Sequence, residues 1–138
     1  MVSVDTYFAE KHRTCSQNYR TPCKLYSEGC SSIAFEIAGL LLGEGKEPCL
    51  LGFSKQRKMH GVKNYVTLVP VAFDGRVTWA RHQVCLCDGK VYDPILPEPV
   101  AVEDYSGQMF GTEVPFEMAF SCKELREMIT AEKRNKVI

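Results

Sequence analysis

The segment that most constrains the fold is an apolar run at residues 33–42, in which Glu36 is the only charged residue. A helix on a protein surface carries a polar stripe, and this run has almost none. Gly43 and Gly45 follow it and supply a C-terminal stop. We therefore predict a helix over residues 30–42 that lies in the middle of a domain.

A β pattern follows this helix. Residues 49–53 form a short apolar run, and residues 65–73 are rich in the Val, Thr and Tyr that favour strands. Pro70 places the second of these at a sheet edge or a bulge. Asp-Gly pairs at 74–75 and 88–89 are hairpin signals. The further predicted strands are residues 76–87, bent near Arg81, and 90–95.

The rest of the chain predicts helices at both ends and loops between the elements. We expect a first helix over residues 4–12, and Ser121 with Glu124 forms the capping box of a last one. Predicted loops cover residues 14–29, 54–64 and 96–120, the last with one helical turn at 102–105. The fold class is therefore α+β: a central helix on an antiparallel sheet, in a single domain over residues 1–138.

Composition excludes several classes of function. The 17 basic and 17 acidic residues give a formal net charge of zero. This argues against binding of nucleic acid or an anionic membrane through the overall charge of the protein. No apolar run reaches the roughly 18 residues of a membrane span. The N-terminus has no secretory pattern, so we expect a cytoplasmic protein, or one delivered as an effector without a classical signal peptide.

Seven cysteines are present, so at least one is unpaired, and reduced thiols are expected in the cytoplasm. Cys30 stands out because it opens the predicted central helix. The free N–H groups and partial positive charge of a helix N-terminus stabilise a thiolate, which is the nucleophilic form. Gly29 allows close approach of a substrate. The alternative is a core cysteine, since free Cys is among the most buried residue types.

His82 and Asp93 flank the Asp88-Gly89 turn. With a two-residue loop, Val84 pairs with Asp93, so that His82 and Asp93 share a face as diagonal neighbours. An imidazole beside a carboxylate is held in one tautomer, which suits the base of a nucleophile–base pair. A three-residue loop would turn Asp93 to the opposite face, and a surface His–Asp pair is the alternative.

The blocks EGCSSIAFEIAGLLLG and ARHQVCLCDGKVYDPIL, within residues 27–97, resemble the papain-like and transglutaminase-like superfamily of thiol enzymes. The second block resembles the signature of small bacterial members, which include papain-fold toxin domains and protein-glutamine deamidases of the effector type. The resemblance implies a papain-like fold with Cys30 as nucleophile, His82 as general base and Asp93 as orienter. It implies cleavage of an amide, in a peptide bond or a protein glutamine side chain, through a thioester, with a protein or peptide as substrate.

An oxyanion must be stabilised in such a reaction. The Cys30 backbone N–H is the first candidate donor, and Gln17 and Asn18 are the side-chain candidates, because related thiol proteases use a Gln shortly before the nucleophile. We expect no metal and no organic cofactor, since no phosphate-binding or dinucleotide-binding glycine pattern is present.

Two rival functions remain at this stage. One is a non-catalytic protein-binding module on the same fold. The other is a metal or redox protein that uses Cys85 and Cys87, although core packing suits both residues better. The basic stretch at 54–64 lacks the interleaved aromatics of a nucleic-acid site. Trp79, on the strand that leads to His82, either walls the site or fills the core, and core packing is favoured. The sequence leaves the oligomeric state open.

Overall fold

A computed structural model of the protein describes residues 2–17, 24–59, 62–75 and 77–136. The described residues have an α+β architecture, as predicted. The helices are α1 (Val4–Gln17), α2 (Lys24–Gly43), α3 (Val102–Phe110) and α4 (Cys122–Lys136), with a 3₁₀ helix at Val71–Phe73. The strands are β1 (Cys49–Phe53), β2 (Lys55–Met59), β3 (Val62–Val66), β4 (His82–Cys87), β5 (Lys90–Tyr92), β6 (Val100–Ala101) and β7 (Phe116–Phe120).

Five strands form one antiparallel sheet in the order β6-β5-β4-β1-β7. Helix α2 packs on this sheet, chiefly against β4. Its apolar residues are buried at positions 33, 34, 37, 38 and 41. The prediction of a central helix is therefore confirmed, because a helix with almost no polar stripe is stable only when other elements cover it.

Two of the helix boundaries predicted from the sequence, the end of α1 and the start of α2, are wrong. Helix α1 continues to Gln17 and α2 begins at Lys24, so the predicted loop over residues 14–29 is helical at both ends, and its middle, residues 18–23, lies outside the described residues. Ser27 and Gly29 favour turns, yet each costs a helix only about 1 kcal/mol or less. Packing of the apolar segment that follows outweighs that cost.

The prediction for residues 54–73 also needs correction. Residues 55–59 and 62–64 are strand and not loop, because β2 and β3 pair as a separate two-stranded antiparallel ribbon, and residues 60 and 61 lie outside the described residues. The strand predicted over 65–73 ends at Val66, makes one further bridge between Leu68 and Trp79, and gives way to the 3₁₀ helix after Pro70. A two-stranded ribbon pairs half of the backbone groups of each strand and leaves the other half to water, so a polar composition does not exclude it.

The region 96–120 contains more structure than predicted. The single expected turn is the start of α3, which runs for nine residues, and the edge strand β7 was not predicted. The capping box is confirmed: the Ser121 N–H donates to Glu124 Oε1 at 3.1 Å, and the Glu124 N–H donates to Ser121 Oγ at 3.2 Å. Leu125, which fits the accompanying hydrophobic staple, is fully buried.

Candidate active site

The β4–β5 hairpin sets the position of the predicted base and acid. Asp88 and Gly89 have φ values of 52° and 76°, as a two-residue type I′ turn requires. The register pairs Cys85 with Tyr92, Leu86 with Val91 and Cys87 with Lys90, as predicted. Asp93 follows β5 directly and therefore returns to the level of the start of β4, where His82 lies.

His82 and Asp93 are in direct contact. His82 Nε2 lies 2.8 Å from Asp93 Oδ2, and each residue is 1% exposed. The diagonal contact predicted from the hairpin register is therefore present, and the pair is buried instead of lying on the surface. Because a carboxylate accepts, Nε2 carries the proton and Nδ1 is the ring nitrogen left for the other neighbour of the imidazole.

Asp93 is held by two further donors. The Tyr105 hydroxyl donates to Asp93 Oδ2 at 2.5 Å, and the Ile95 N–H donates to Oδ1 at 3.1 Å. One residue along the chain, the Pro94 carbonyl accepts from His12 Nδ1 of α1 at 2.9 Å. Sequence reasoning missed Tyr105 and His12. No local signal pointed to Tyr105, because the residues on either side of it, Asp104 and Ser106, are polar and do not indicate a buried phenol.

Cys30 lies beside the imidazole. Its thiol is half-buried and hydrogen-bonds with His82, and it also accepts a hydrogen bond from the Gln83 backbone N–H. The three residues Cys30, His82 and Asp93, which come from α2, β4 and the end of β5, are thus joined in one hydrogen-bonded chain. Gln83 was not predicted, although a residue next to the base on a strand is well placed to reach the thiol.

The helix-terminus argument for Cys30 is wrong. Cys30 is the seventh residue of α2, because the helix begins at Lys24. Its N–H therefore belongs to the intrahelical hydrogen-bond ladder and is not one of the free donors of the first turn. This removes both the predicted dipole effect and the predicted role of this N–H as the first oxyanion donor. Of the side-chain candidates, Asn18 and the side chain of Gln17 lie outside the described residues.

At this site the pKa of Cys30 is lowered and the pKa of His82 is raised. Burial by itself would raise the pKa of Cys30, but the hydrogen bond and positive charge of His82 outweigh it and lower the pKa below the ordinary 9.0. Burial would lower the pKa of His82, but the charge and hydrogen bond of Asp93, with a contribution from Cys30, raise it from 6.5 to about 9. The pair therefore favours thiolate and imidazolium over thiol and imidazole.

The carboxylate of Asp93 remains ionised for the same reason. Burial tends to raise its pKa, but the charge of His82 and the hydrogen bonds from His82, Tyr105 and Ile95 lower it below 3.8. The pKa of Tyr105 moves well above its usual 10.0 because of burial and the nearby carboxylate, so the phenol stays protonated and keeps donating.

The other thiols behave differently. Burial raises the pKa of Cys49, Cys85 and Cys87, and neighbouring thiols raise each further. Cys85 and Cys87 are buried in the core, as predicted. Within the described ranges, no group of three or more His, Cys, Asp or Glu side chains is arranged so that it could hold a metal ion.

Trp79 covers one face of the imidazole. Its ring stacks on His82 at 4.3 Å between centroids, with 11° between the planes, and Trp79 is 4% exposed. Phe110 of α3 meets the edge of the same cluster. Trp79 thus fills the core, as expected, and also shields the base, because an indole face attracts a cation and excludes water from it.

An open cleft of about 780 Å³ leads to the thiol. Cys30, Ser31 and Phe35 of α2 form one wall, and the segment at 78–83 forms another. Gly52 of β1 and Glu117, Ala119 and Phe120 of β7 also line the cleft. Gln83 Oε1 is buried here without a hydrogen-bond partner among the described residues. A substrate that enters from solvent therefore meets Cys30 in a cleft that Gln83 also lines.

Comparison with known proteins gives no relative: no protein-family model, curated protein or solved structure matches the chain. In the parts of the chain that the structure describes, no helix is both long and apolar enough to cross a bilayer.

Proposed function

We propose that this protein is a cysteine-dependent hydrolase or acyltransferase that cleaves an amide through a papain-like Cys30–His82–Asp93 triad. One observation carries the proposal: a partly accessible thiol at an open cleft is hydrogen-bonded to an imidazole whose Nε2 lies 2.8 Å from a fully buried carboxylate. A nucleophile, a base and a group that orients the base are the parts that nucleophilic catalysis by cysteine needs.

Attack uses the ion pair. The Cys30 thiolate adds to the carbonyl carbon of the substrate amide, and the electrons of the C=O bond move to oxygen. The Gln83 backbone N–H, which already points at the Cys30 sulfur, is the donor best placed for that oxyanion. In this mechanism Gln83 takes the role that the sequence suggested for Gln17, Asn18 and the Cys30 N–H.

Release and turnover use the same imidazole. Protonated His82 gives its Nδ1 proton to the leaving nitrogen, the C–N bond breaks, and an amine or ammonia departs from a Cys30 thioester. Water, or the amine of an acceptor, then attacks the thioester while His82 takes up the proton, and the thiolate leaves. Asp93 keeps the ring in one orientation throughout, because Tyr105 and Ile95 hold its carboxylate.

The arrangement supports a likeness to the papain-like and transglutaminase-like superfamily. The order Cys, His, Asp along the chain falls on a central helix, a strand of an antiparallel sheet and the end of the next strand. Peptide-bond hydrolysis and deamidation or transamidation of a protein glutamine share this acyl-enzyme chemistry, so the proposal covers an amide of either kind.

The test is alkylation of the native protein by iodoacetamide between about pH 5 and pH 9, with the modified cysteines mapped by mass spectrometry. We expect Cys30 to react well below the pH at which an ordinary thiol does, and Cys49, Cys85 and Cys87 to be slow. Asp93→Asn and His82→Ala should shift the reactivity of Cys30 to higher pH, whereas Cys122→Ala, a matched thiol variant outside the cleft, should leave it unchanged.

Each rival predicts a different result. A non-catalytic binding module predicts that Cys30 reacts no faster than the other thiols and that the Asp93→Asn profile overlays that of the wild type. A metal or redox protein predicts that protection or oxidation maps to Cys85 and Cys87. Either outcome would remove the basis of the enzyme proposal.

A further inference from the structure

Strand β7 forms one edge of the five-stranded sheet and is exposed along its first three residues. Phe116 is 50% exposed and Met118 is 59% exposed. Proteins usually protect such an edge with Lys, Pro, a bulge or a covering loop, because it can pair with another chain. Strand β7 has Pro115 before it and a bulge beyond Met118. Between these two features, the large apolar side chains of Phe116 and Met118 remain exposed on either side of Glu117.

The register shows which backbone groups face outward. The Ser54 N–H donates to the Pro115 carbonyl at 3.2 Å, so these two residues form a hydrogen-bonded pair. Pairs alternate in an antiparallel ladder, and Gly52 pairs with Glu117 two residues further on. The N–H and C=O groups of Phe116 and Met118 therefore point away from β1, towards the open edge.

This edge is continuous with the cleft at Cys30. A second cavity of about 290 Å³ is lined by Gly52, Ser54, Pro115, Phe116 and Glu117. It shares Gly52, Ser54 and Glu117 with the cleft that holds the thiol. A single groove thus runs from the nucleophile across β1 to the outward edge of β7.

We propose that β7 is the docking edge for an extended segment of the polypeptide substrate, which adds as a sixth strand beside the amide that enters the cleft. This inference rests on the proposed function and specifies how its substrate is held. Only another main chain offers donors and acceptors with the spacing of the outward groups at Phe116 and Met118. The groove gives the same chain a path to Cys30.

The side chains on β7 indicate which residue types the docked segment should contain. Phe116 and Met118 share one face of the strand, and the Phe116 ring lies 5.1 Å from that of Phe53, so apolar residues are favoured there. Glu117 lies on the opposite face, where a basic residue gives a favourable cross-strand pair. The substrate class is an extended chain with alternating apolar and basic residues.

The probe is iodoacetyl-Gly-Gly-Gly-Val-Lys-Val-Lys-Val amide, compared with iodoacetyl-Gly-Gly-Gly amide. An added strand lies three strand spacings, roughly 14 Å, from β4, so a three-glycine linker with its iodoacetyl group can reach towards Cys30. We expect the longer probe to alkylate Cys30 at least about tenfold faster than the shorter one, because docking raises the local concentration of the reactive group.

Two variants isolate the edge. Met118→Pro removes an N–H that points away from β1, so the existing ladder is kept while strand addition is blocked. Met118→Val is the matched control, because it keeps the N–H and an apolar side chain. We expect Met118→Pro to react with both probes at the slower rate and Met118→Val to keep the preference for the longer probe. Equal rates for both probes in the wild type, or an equal preference in the two variants, would overturn the docking proposal.

Alkylation by plain iodoacetamide distinguishes failure of the docking proposal from failure of the enzyme proposal. This reagent has no peptide to dock, so its rate depends on the Cys30 thiolate alone. If Cys30 is not selectively alkylated in the wild type, the triad proposal fails, and docking is then judged by amide hydrogen exchange with an acetyl-capped peptide of the same sequence. Docking predicts new protection of the Phe116 and Met118 amides. Protection that appears without peptide and grows with protein concentration would assign the edge to a second copy of the chain and overturn the proposal.

Discussion

At the scale of single residues, the site depends on one buried carboxylate with three donors. Asp93 is 1% exposed and accepts from the His82 ring, the Tyr105 hydroxyl and the Ile95 N–H. A buried charge is tolerated only when it is paired and its lone pairs are filled. The same bonds fix the imidazole, so the groups that make the carboxylate stable inside the protein also set the acidity of Cys30.

Tyr105→Phe tests this coupling. Loss of the hydroxyl removes one charge-assisted hydrogen bond, worth about 1.5–3 kcal/mol, from Asp93. We expect the free energy of unfolding to fall by about that amount or less. The pH at which Cys30 becomes reactive towards iodoacetamide should shift, because Asp93 is then less firmly held against His82. Urea unfolding and alkylation profiles measure the two effects.

Tyr92→Phe is the matched control, since it removes a phenol from β5 while keeping the edge contact of that ring with Phe8, 6.1 Å between centroids. It should leave the alkylation profile unchanged. Identical profiles for Tyr105→Phe and the wild type would mean that the hydroxyl does not act on the triad.

At the scale of elements, local signals in the sequence predicted those parts that are specified locally. The Asp88-Gly89 pair predicted the hairpin and therefore the contact of His82 with Asp93, because a two-residue turn fixes the register of the strands on both sides. The apolar segment gave the central helix, and Ser121 with Glu124 gave the start of α4.

The elements that were missed depend on distant parts of the chain. Strand β7 is held by pairing with β1, which lies more than 60 residues earlier, and its exposed Phe116 and Met118 do not alternate in burial. The start of α2 was misplaced because turn-forming residues were given more weight than packing. In consequence the predicted source of Cys30 acidity was a helix end, whereas the structure supplies His82.

Gly89→Ala tests the turn that aligns the site. Gly89 has a φ of 76°, and an added Cβ would meet nothing within 4 Å, so its cost is conformational. We expect a loss of roughly 1–2 kcal/mol in the free energy of unfolding, measured with urea. The control is Gly43→Ala, where a Cβ is also unopposed but φ is not positive, and stability should be unchanged or slightly higher. Equal effects would show that the turn does not require a left-handed residue.

At the scale of the whole molecule, the two opposite pKa shifts cancel in their effect on stability over part of the pH range. A raised pKa at His82 contributes stability that is fully present below 6.5 and is lost as pH rises through about 9. A lowered pKa at Cys30 contributes stability that is present above 9.0 and is lost as pH falls through the folded value. Where Cys30 is a thiolate and His82 an imidazolium, the folded pair holds one proton, as the unfolded pair does between 6.5 and 9, so folding there takes up no net proton.

In the Cys30→Ala variant, the titration of His82 should therefore become visible in the pH dependence of the free energy of unfolding. Without the thiol, Asp93 still raises the pKa of His82, so the folded protein holds a proton that the unfolded chain has released above 6.5. The free energy of unfolding of this variant should fall as pH rises above 6.5 until it passes the folded pKa of His82, which lies below 9 once the contribution of Cys30 is lost. The slope should approach about 1.4 kcal/mol per pH unit. The wild type and Cys122→Ala should change less over the same range. Urea midpoints at three pH values measure the slopes, and parallel curves for all three proteins would mean that Cys30 and His82 do not share a proton in the folded state.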